Sequence, residues 1–97
     1  MARLEILNPV ATTVEYSVKP APRLQAIDGA RIGLYWNIKA GGDAALDKTE
    51  DLLRARFPKA TFRRYTGSVG WLMRHCTAED ADRIASEVDA VVGTTAD

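Results

Sequence analysis

Two short segments hold the residues most able to bind a ligand. The first is Asn37-Ile38-Lys39-Ala40-Gly41-Gly42. Asn37 offers an amide donor and acceptor, and Lys39 offers a cation. Gly41-Gly42 lets backbone amides come close to a bound group at the start of a helix. Such a loop can hold a carboxylate or a phosphate. An ordinary turn, with glycines for flexibility and Lys39 in solvent, remains the alternative. The segment is neither GxGxxG nor a P-loop, so it identifies no nucleotide class. The second segment is Gly93-Thr94-Thr95-Ala96-Asp97, small and rich in hydroxyls. It can lead a reactive group into a cleft, or it can be a fraying end. The candidate substrate-binding residues are therefore Asn37, Lys39, Gly41, Gly42, Gly93, Thr94 and Thr95.

Other chemical groups are less promising. His75-Cys76 has the types of a base and a nucleophile, but adjacent side chains rarely face each other. The expectation is a Cys76 packed among apolar groups and a partly exposed His75. No second His or Cys exists to complete a metal site, and no cofactor is evident. Trp36, Tyr65 and Trp71 read as core or interface residues rather than as base-stacking platforms. The carboxylates Asp47, Asp51, Glu79, Asp80, Asp82 and Asp89 read mostly as solvated helix faces.

The elements that must position these loops follow from periodicity. Asp28-Gly29 is a turn signal leading into an apolar strand, Arg31-Ile32-Gly33-Leu34-Tyr35-Trp36-Asn37-Ile38, buried on both faces. Gly33 suggests close approach by a packed helix. Asp43 is the expected N-cap of a helix running to about Phe57, where Pro58 ends it. A shorter strand, nearer an edge, covers residues 60–65. The stretch 67–76 has no clear period, and Trp71-Leu72-Met73 could begin a short helix or a loop that packs apolar side chains on a partner. Thr77, with Asp80 three residues on, then caps a third helical segment, and residues 89–93 form the next strand. Before all this lies an arm, residues 1–24. It holds two weakly alternating stretches, Leu4-Glu5-Ile6-Leu7 and Val14-Glu15-Tyr16-Ser17-Val18, expected as short edge strands. Pro20 and Pro22 prevent further pairing. The arm can fold onto its own domain or onto a neighbour's. Residues 25–97 then form an α/β unit, a βαβαβ Rossmann-like or flavodoxin-like parallel sheet in three layers.

Composition bounds the function. The 97 residues carry 13 bases and 13 acids, for a net charge of zero. Sustained nucleic-acid binding by a basic surface is disfavoured. Apolar runs are too short to span a bilayer, and the start lacks the apolar region of a signal peptide. One cysteine excludes an internal disulfide framework. A soluble cytoplasmic protein is expected. Charge is uneven: residues 76–97 hold six acids and one base, a net of −5, leaving +5 for the rest. Arg54, Arg56, Lys59, Arg63 and Arg64 make the densest basic stretch, either a solvated face or a patch for an anionic partner.

Several motifs together resemble the UGSC family. They are Leu7-Asn8-Pro9, Ala21-Pro22-Arg23-Leu24, Ile27-Asp28-Gly29-Ala30-Arg31-Ile32-Gly33-Leu34, then Asn37-Ile38-Lys39 with Asp43. These small bacterial proteins are named for a selenocysteine-Gly-Ser-Cys motif, often replaced by Cys-Gly-Ser-Cys. Val88-Asp89-Ala90-Val91-Val92-Gly93-Thr94-Thr95-Ala96-Asp97 looks like the family's strand directly before that motif. Residues 58–76 match poorly. Ala40-Gly41 stands where the family tends to have Pro-Asn, and Thr95-Ala96 where it tends to have Val-Gly. The sequence stops where the motif should begin. A split enzyme, a cleaved precursor, or a selenocysteine codon read as stop would each produce that break, and a split or processed heteromer is favoured.

The resemblance implies the small subunit of a thiol- or selenol-dependent enzyme, of reductase or lyase type and inactive alone. Asn37 and Lys39 would hold an anionic substrate group. Residues 93–97 would position cysteines of a second chain carrying the Cys- or selenocysteine-Gly-Ser-Cys element. Two other readings stay open. One is a stand-alone homodimeric binding or assembly module using the arm. The other is a small anion- or nucleotide-binding regulator using Gly41-Gly42.

Overall fold

The computed structural model describes residues 3–71 and 74–95. Three strands and two helices alternate along the chain: β1 Arg31–Trp36, α1 Gly42–Arg56, β2 Thr61–Tyr65, α2 Ala78–Glu87 and β3 Ala90–Thr94. The pairings between these three strands are parallel, in the order β2-β1-β3. The alternation of strand and amphipathic helix required this arrangement, because parallel neighbours need a crossover. β1 is the central strand, and Leu34 sits opposite Arg64 on one side and Val92 on the other.

The core forms around alternate residues of β1. Ile32 and Leu34 pack with Leu46 of α1 and with Ala30 and Ala60, and Leu34 and Leu46 have no exposed surface. Burial of each such leucine contributes about 2 kcal/mol. The intervening β1 residue Tyr35 packs with a second cluster of Tyr65, Ile84 and Val88, which brings in α2. Gly33 is needed there. A Cβ would fall 3.1 Å from the Tyr65 ring and 3.3 Å from Val88. The close neighbours are the Tyr65 ring of β2 and Val88, the C-cap of the packed helix α2.

Element boundaries differ from the expectation where the backbone turns. β1 stops at Trp36, two residues early, because Ile38 takes a left-handed φ of 71° that no strand accommodates. Asp43 is not the N-cap of α1. Gly41, at φ 89°, holds that position with no side-chain cap, and Asp43 lies in the first turn, where its charge suits the helix dipole. For α2 the expected cap forms in full. Asp80 N–H donates to Thr77 Oγ1 at 3.0 Å, and Thr77 N–H donates to Asp80 Oδ2 at 3.1 Å.

The arm forms no strand. Residues 3–24 contain no regular element, and Leu4, Ile6, Val14, Tyr16 and Val18 are all exposed. The expected edge strands fail for want of a partner: among the described residues no strand pairs with them to accept their backbone hydrogen bonds.

Candidate functional site

β1 and β3 are neighbours, so their carboxyl ends deliver the two candidate segments to one place. Asn37 follows β1 and Thr95 follows β3. The Asn37 amide donates to the Thr95 carbonyl at 2.5 Å, and its Oδ1 accepts from the Thr95 hydroxyl at 3.1 Å. The same Oδ1 accepts from Lys39 N–H at 3.1 Å. Asn37 therefore acts first as a clasp between two loops. Thr94 adds a second tie, its hydroxyl donating to the Gly42 carbonyl at 3.0 Å. Tyr35, Asn37, Gly93, Thr94 and Thr95 line an open cleft of about 300 Å³.

The glycine pair has two separate jobs. Gly41 supplies the positive φ. Gly42 supplies room, since a Cβ there would lie 2.6 Å from Thr95 Oγ1 and 2.9 Å from the Trp36 ring. Lys39 enters through its backbone, with its carbonyl accepting from Trp36 Nε1 at 2.7 Å and from Gly42 N–H at 3.1 Å. Two β-branched residues in this region, Ile38 at φ 71° and Thr95 at φ 56°, hold left-handed backbone. Such residues cost about 1–3 kcal/mol each and persist where surrounding contacts fix them. The structure thus brings Asn37, Gly42, Thr94 and Thr95 into contact. Gly93 lines the same cleft, and Lys39 and Gly41 shape the turn.

Two site residues escaped the sequence reading. Trp36 ties the loop through its indole N–H, a group that seeks a partner when half-buried. Tyr35 walls the cleft, and burial pushes its hydroxyl above the ordinary tyrosine value, with the Cys76 thiol adding to the shift. The signal for both was their position directly before Asn37 in an otherwise aliphatic strand.

A family profile described as the UGSC family matches residues 5–97, essentially the whole chain. The chain belongs to the UGSC family. No curated protein and no solved structure matches it. The matched span includes residues 58–76, where the motif resemblance is weak. In this UGSC-family chain the lone cysteine, Cys76, is exposed rather than packed inside, and it shares an apolar hollow with Tyr35, Ile84 and Val91. His75 is exposed, with its backbone N–H donating to the Val69 carbonyl at 2.6 Å. Among the described residues no group of three His, Cys, Asp or Glu side chains could hold a metal ion, and no helix is long and apolar enough to cross a membrane.

The carboxylates need correction. Asp80 is not a solvated helix residue but is buried. Its Oδ2 accepts from Ser68 Oγ at 2.7 Å, Ser68 N–H at 3.0 Å and Thr77 N–H at 3.1 Å. These donors, the Ser68 hydroxyl foremost, hold its carboxyl far below the usual range. It pins the loop after β2 to the start of α2. Asp89 pairs with Arg31 at 2.9 Å at the opposite end of the sheet. The basic stretch is largely neutralised: Arg54 pairs with Glu50, Arg63 with Glu87, and Arg64 with Asp47 and Glu50. Of the aromatics, Trp36 and Tyr65 join the core clusters, whereas Trp71 is 90% exposed. Leu72, Met73, Ala96 and Asp97 lie outside the described residues.

Proposed function

We propose that this chain holds a small anionic molecule at the carboxyl ends of β1 and β3, as the small subunit of a cytoplasmic thiol- or selenol-dependent enzyme. The reactive cysteines come from a second polypeptide carrying a Cys- or selenocysteine-Gly-Ser-Cys element. The reaction is of reductive or lyase type. One observation carries this reading: α1 begins without a side-chain cap beside a cleft whose two walls are clasped by Asn37 and Thr95. A helix N-terminus presents backbone N–H groups and partial positive charge, which favour a carboxylate, a phosphate or a thiolate. The strain at Ile38 and Thr95 supports it too, because strained backbone concentrates at ligand sites. The strand order matches the first three strands of a flavodoxin-like sheet, in which ligands lie at the β1/β3 junction. We read the complete architecture as a three-layer sheet of that class.

Asn37 keeps the two loops in register. Thr94 fixes the first turn of α1 against β3, and Tyr35 closes the side wall. Titration of the isotope-labelled chain with inorganic phosphate and with malonate tests the ligand reading by NMR. Amide shifts confined to residues 37–43 and 93–95, abolished by Asn37→Asp with the fold retained, are expected. Shifts scattered over the surface, or unaffected by Asn37→Asp, would overturn it. Co-expression with a polypeptide bearing Cys-Gly-Ser-Cys tests the subunit reading. Co-purification in fixed ratio is expected, and a chain that never co-purifies with it refutes the heteromer.

A further inference from the structure

The arm and the β3 edge are both unfinished surfaces. The arm leaves the domain extended, with Leu4, Ile6, Leu7, Val10, Tyr16 and Val18 between 76% and 87% exposed. The molecule measures 76 × 31 × 26 Å with a radius of gyration of 19.4 Å. A compact chain of this length would have a radius of about 12.5 Å. Its accessible surface is 8269 Å². A compact monomer of this mass exposes about 5,500 Å². The excess, about 2,800 Å², exceeds the roughly 800 Å² per partner that a standard stable interface covers. The exposed apolar side chains of the arm make part of that surplus available to a partner chain.

β3 offers the matching receptor. It pairs only with β1 among the described strands, and Ala90–Thr94 contains no charged residue. An apolar groove of about 360 Å³ lies along one face, lined by Leu24, Ile27, Leu53 and Val92 among others. The other outer strand, β2, carries Arg63 and Arg64, which discourage added strands. In the arm, Val14-Glu15-Tyr16-Ser17-Val18 alternates apolar and polar residues over five positions, the length of β3. Added to a sheet edge, it would turn Val14, Tyr16 and Val18 to one face and Glu15 and Ser17 to the other.

We propose that the arm of one copy adds as a strand to the β3 edge of a second copy, in reciprocal exchange, so that the chain is a two-fold dimer. Val14–Val18 form no strand on their own β3, because Pro20-Ala21-Pro22 stiffens the root of the arm in extended form and prevents the tight reversal required. Ala21 borders the hollow beside Val88, Asp89, Ala90 and Val91, so the root of each arm lies next to the edge that receives the other. That adjacency lets one two-fold axis satisfy both exchanges. The added strand runs along the side of β3 and leaves the carboxyl-end cleft open. The inference is independent of the ligand and of the cysteine-bearing polypeptide.

Light scattering on the full chain, purified by itself, tests it. A particle of twice the 10.6 kDa chain mass is expected. Val14→Asp with Tyr16→Asp changes side chains that are mostly exposed and lie outside both core clusters, so the fold is retained by circular dichroism. The dimer dissociation constant rises at least ~100-fold. Val91→Lys on the β3 edge produces a comparable loss. Mixing the two variants recovers partial association, because one intact arm then meets one intact edge. A wild-type chain that stays monomeric at its highest soluble concentration overturns the proposal. So does a chain that associates only with a different polypeptide, a dimer indifferent to the arm substitutions, or a mixture without recovery.

Discussion

Along β2, Arg63 and Arg64 stand exposed and ion-paired, to Glu87 at 3.3 Å and to Asp47 at 2.7 Å, whereas β3 carries no charge and leaves Val91 half exposed. Both strands flank the same central strand in the same direction. Their difference lies in what each side does with its unpaired backbone groups. Charged side chains on β2 make a further strand costly there, because their ion pairs and hydration would be lost. β3 has no such guard, and its carboxyl end also contributes half of the clasped cleft. One outer strand is guarded by charge, and the other is bare.

The largest test of that contrast compares two glycines. Gly67, just beyond β2, is buried, and a Cβ there would run into the His75 backbone carbonyl and lie 2.7 Å from that of Arg74. Gly93, in β3, has nothing within 4 Å of the same position. Gly67→Ala is expected to cost about 3 kcal/mol, since backbone rather than a flexible side chain must yield. Gly93→Ala is expected to change stability by less than about 0.5 kcal/mol. Denaturant midpoints of the two variants decide it, and equal losses would erase the difference between the two sides.

A smaller effect follows from the carboxylates at the ends of the two edges. Asp80 locks the loop after β2, held low by the Ser68 hydroxyl first and then by backbone N–H groups. Asp89 locks the start of β3, held low by the Arg31 side chain and then its backbone N–H. In both cases the folded value lies below the unfolded one. Their stabilisation is therefore complete above the ordinary carboxylate range and is lost as pH falls through the folded values. The wild-type denaturation midpoint should fall between about pH 5 and pH 2. Asp80→Asn should lower stability at neutral pH and flatten that acid slope. Asp89→Asn should do so less, because its carboxylate is more solvated. A steeper slope in Asp80→Asn would contradict the assignment.

What the sequence made legible was local. The alternation of strand and helix, the Thr77–Asp80 capping box, the buried centre of β1 and the cluster of Asn37 with the threonines were all readable. Each rests on residues close in sequence or on a fold-class rule that joins strand ends. What stayed hidden was set by contacts across the chain. Asp89 meets Arg31 from 58 residues away, and Asp80 reaches Ser68 from 12. The Tyr65 ring over Gly33 is also a contact between strands. The N-cap of α1 was misplaced because Gly41 takes a backbone that only the completed turn demands. The arm misled for the opposite reason: its alternation is a strand signal, but a strand exists only where a neighbour accepts its hydrogen bonds.

The smallest expected change in folding stability separates edge protection from edge strength. Arg63→Val with Arg64→Val removes exposed ion pairs, worth no more than about 1 kcal/mol together. Valine also favours strand backbone, so the denaturation midpoint should barely move. The association state should move instead, because β2 then presents an uncharged row of hydrogen-bonding groups like that of β3. Made together with Val14→Asp and Tyr16→Asp, the pair isolates this effect from any role of the arm. Concentration-dependent association in that combined variant, at unchanged stability, would show that two arginines are what keep β2 closed. If it stays monodisperse, the protection of β2 comes from something other than charge, and the contrast between the edges must rest on the shape of the surfaces around them.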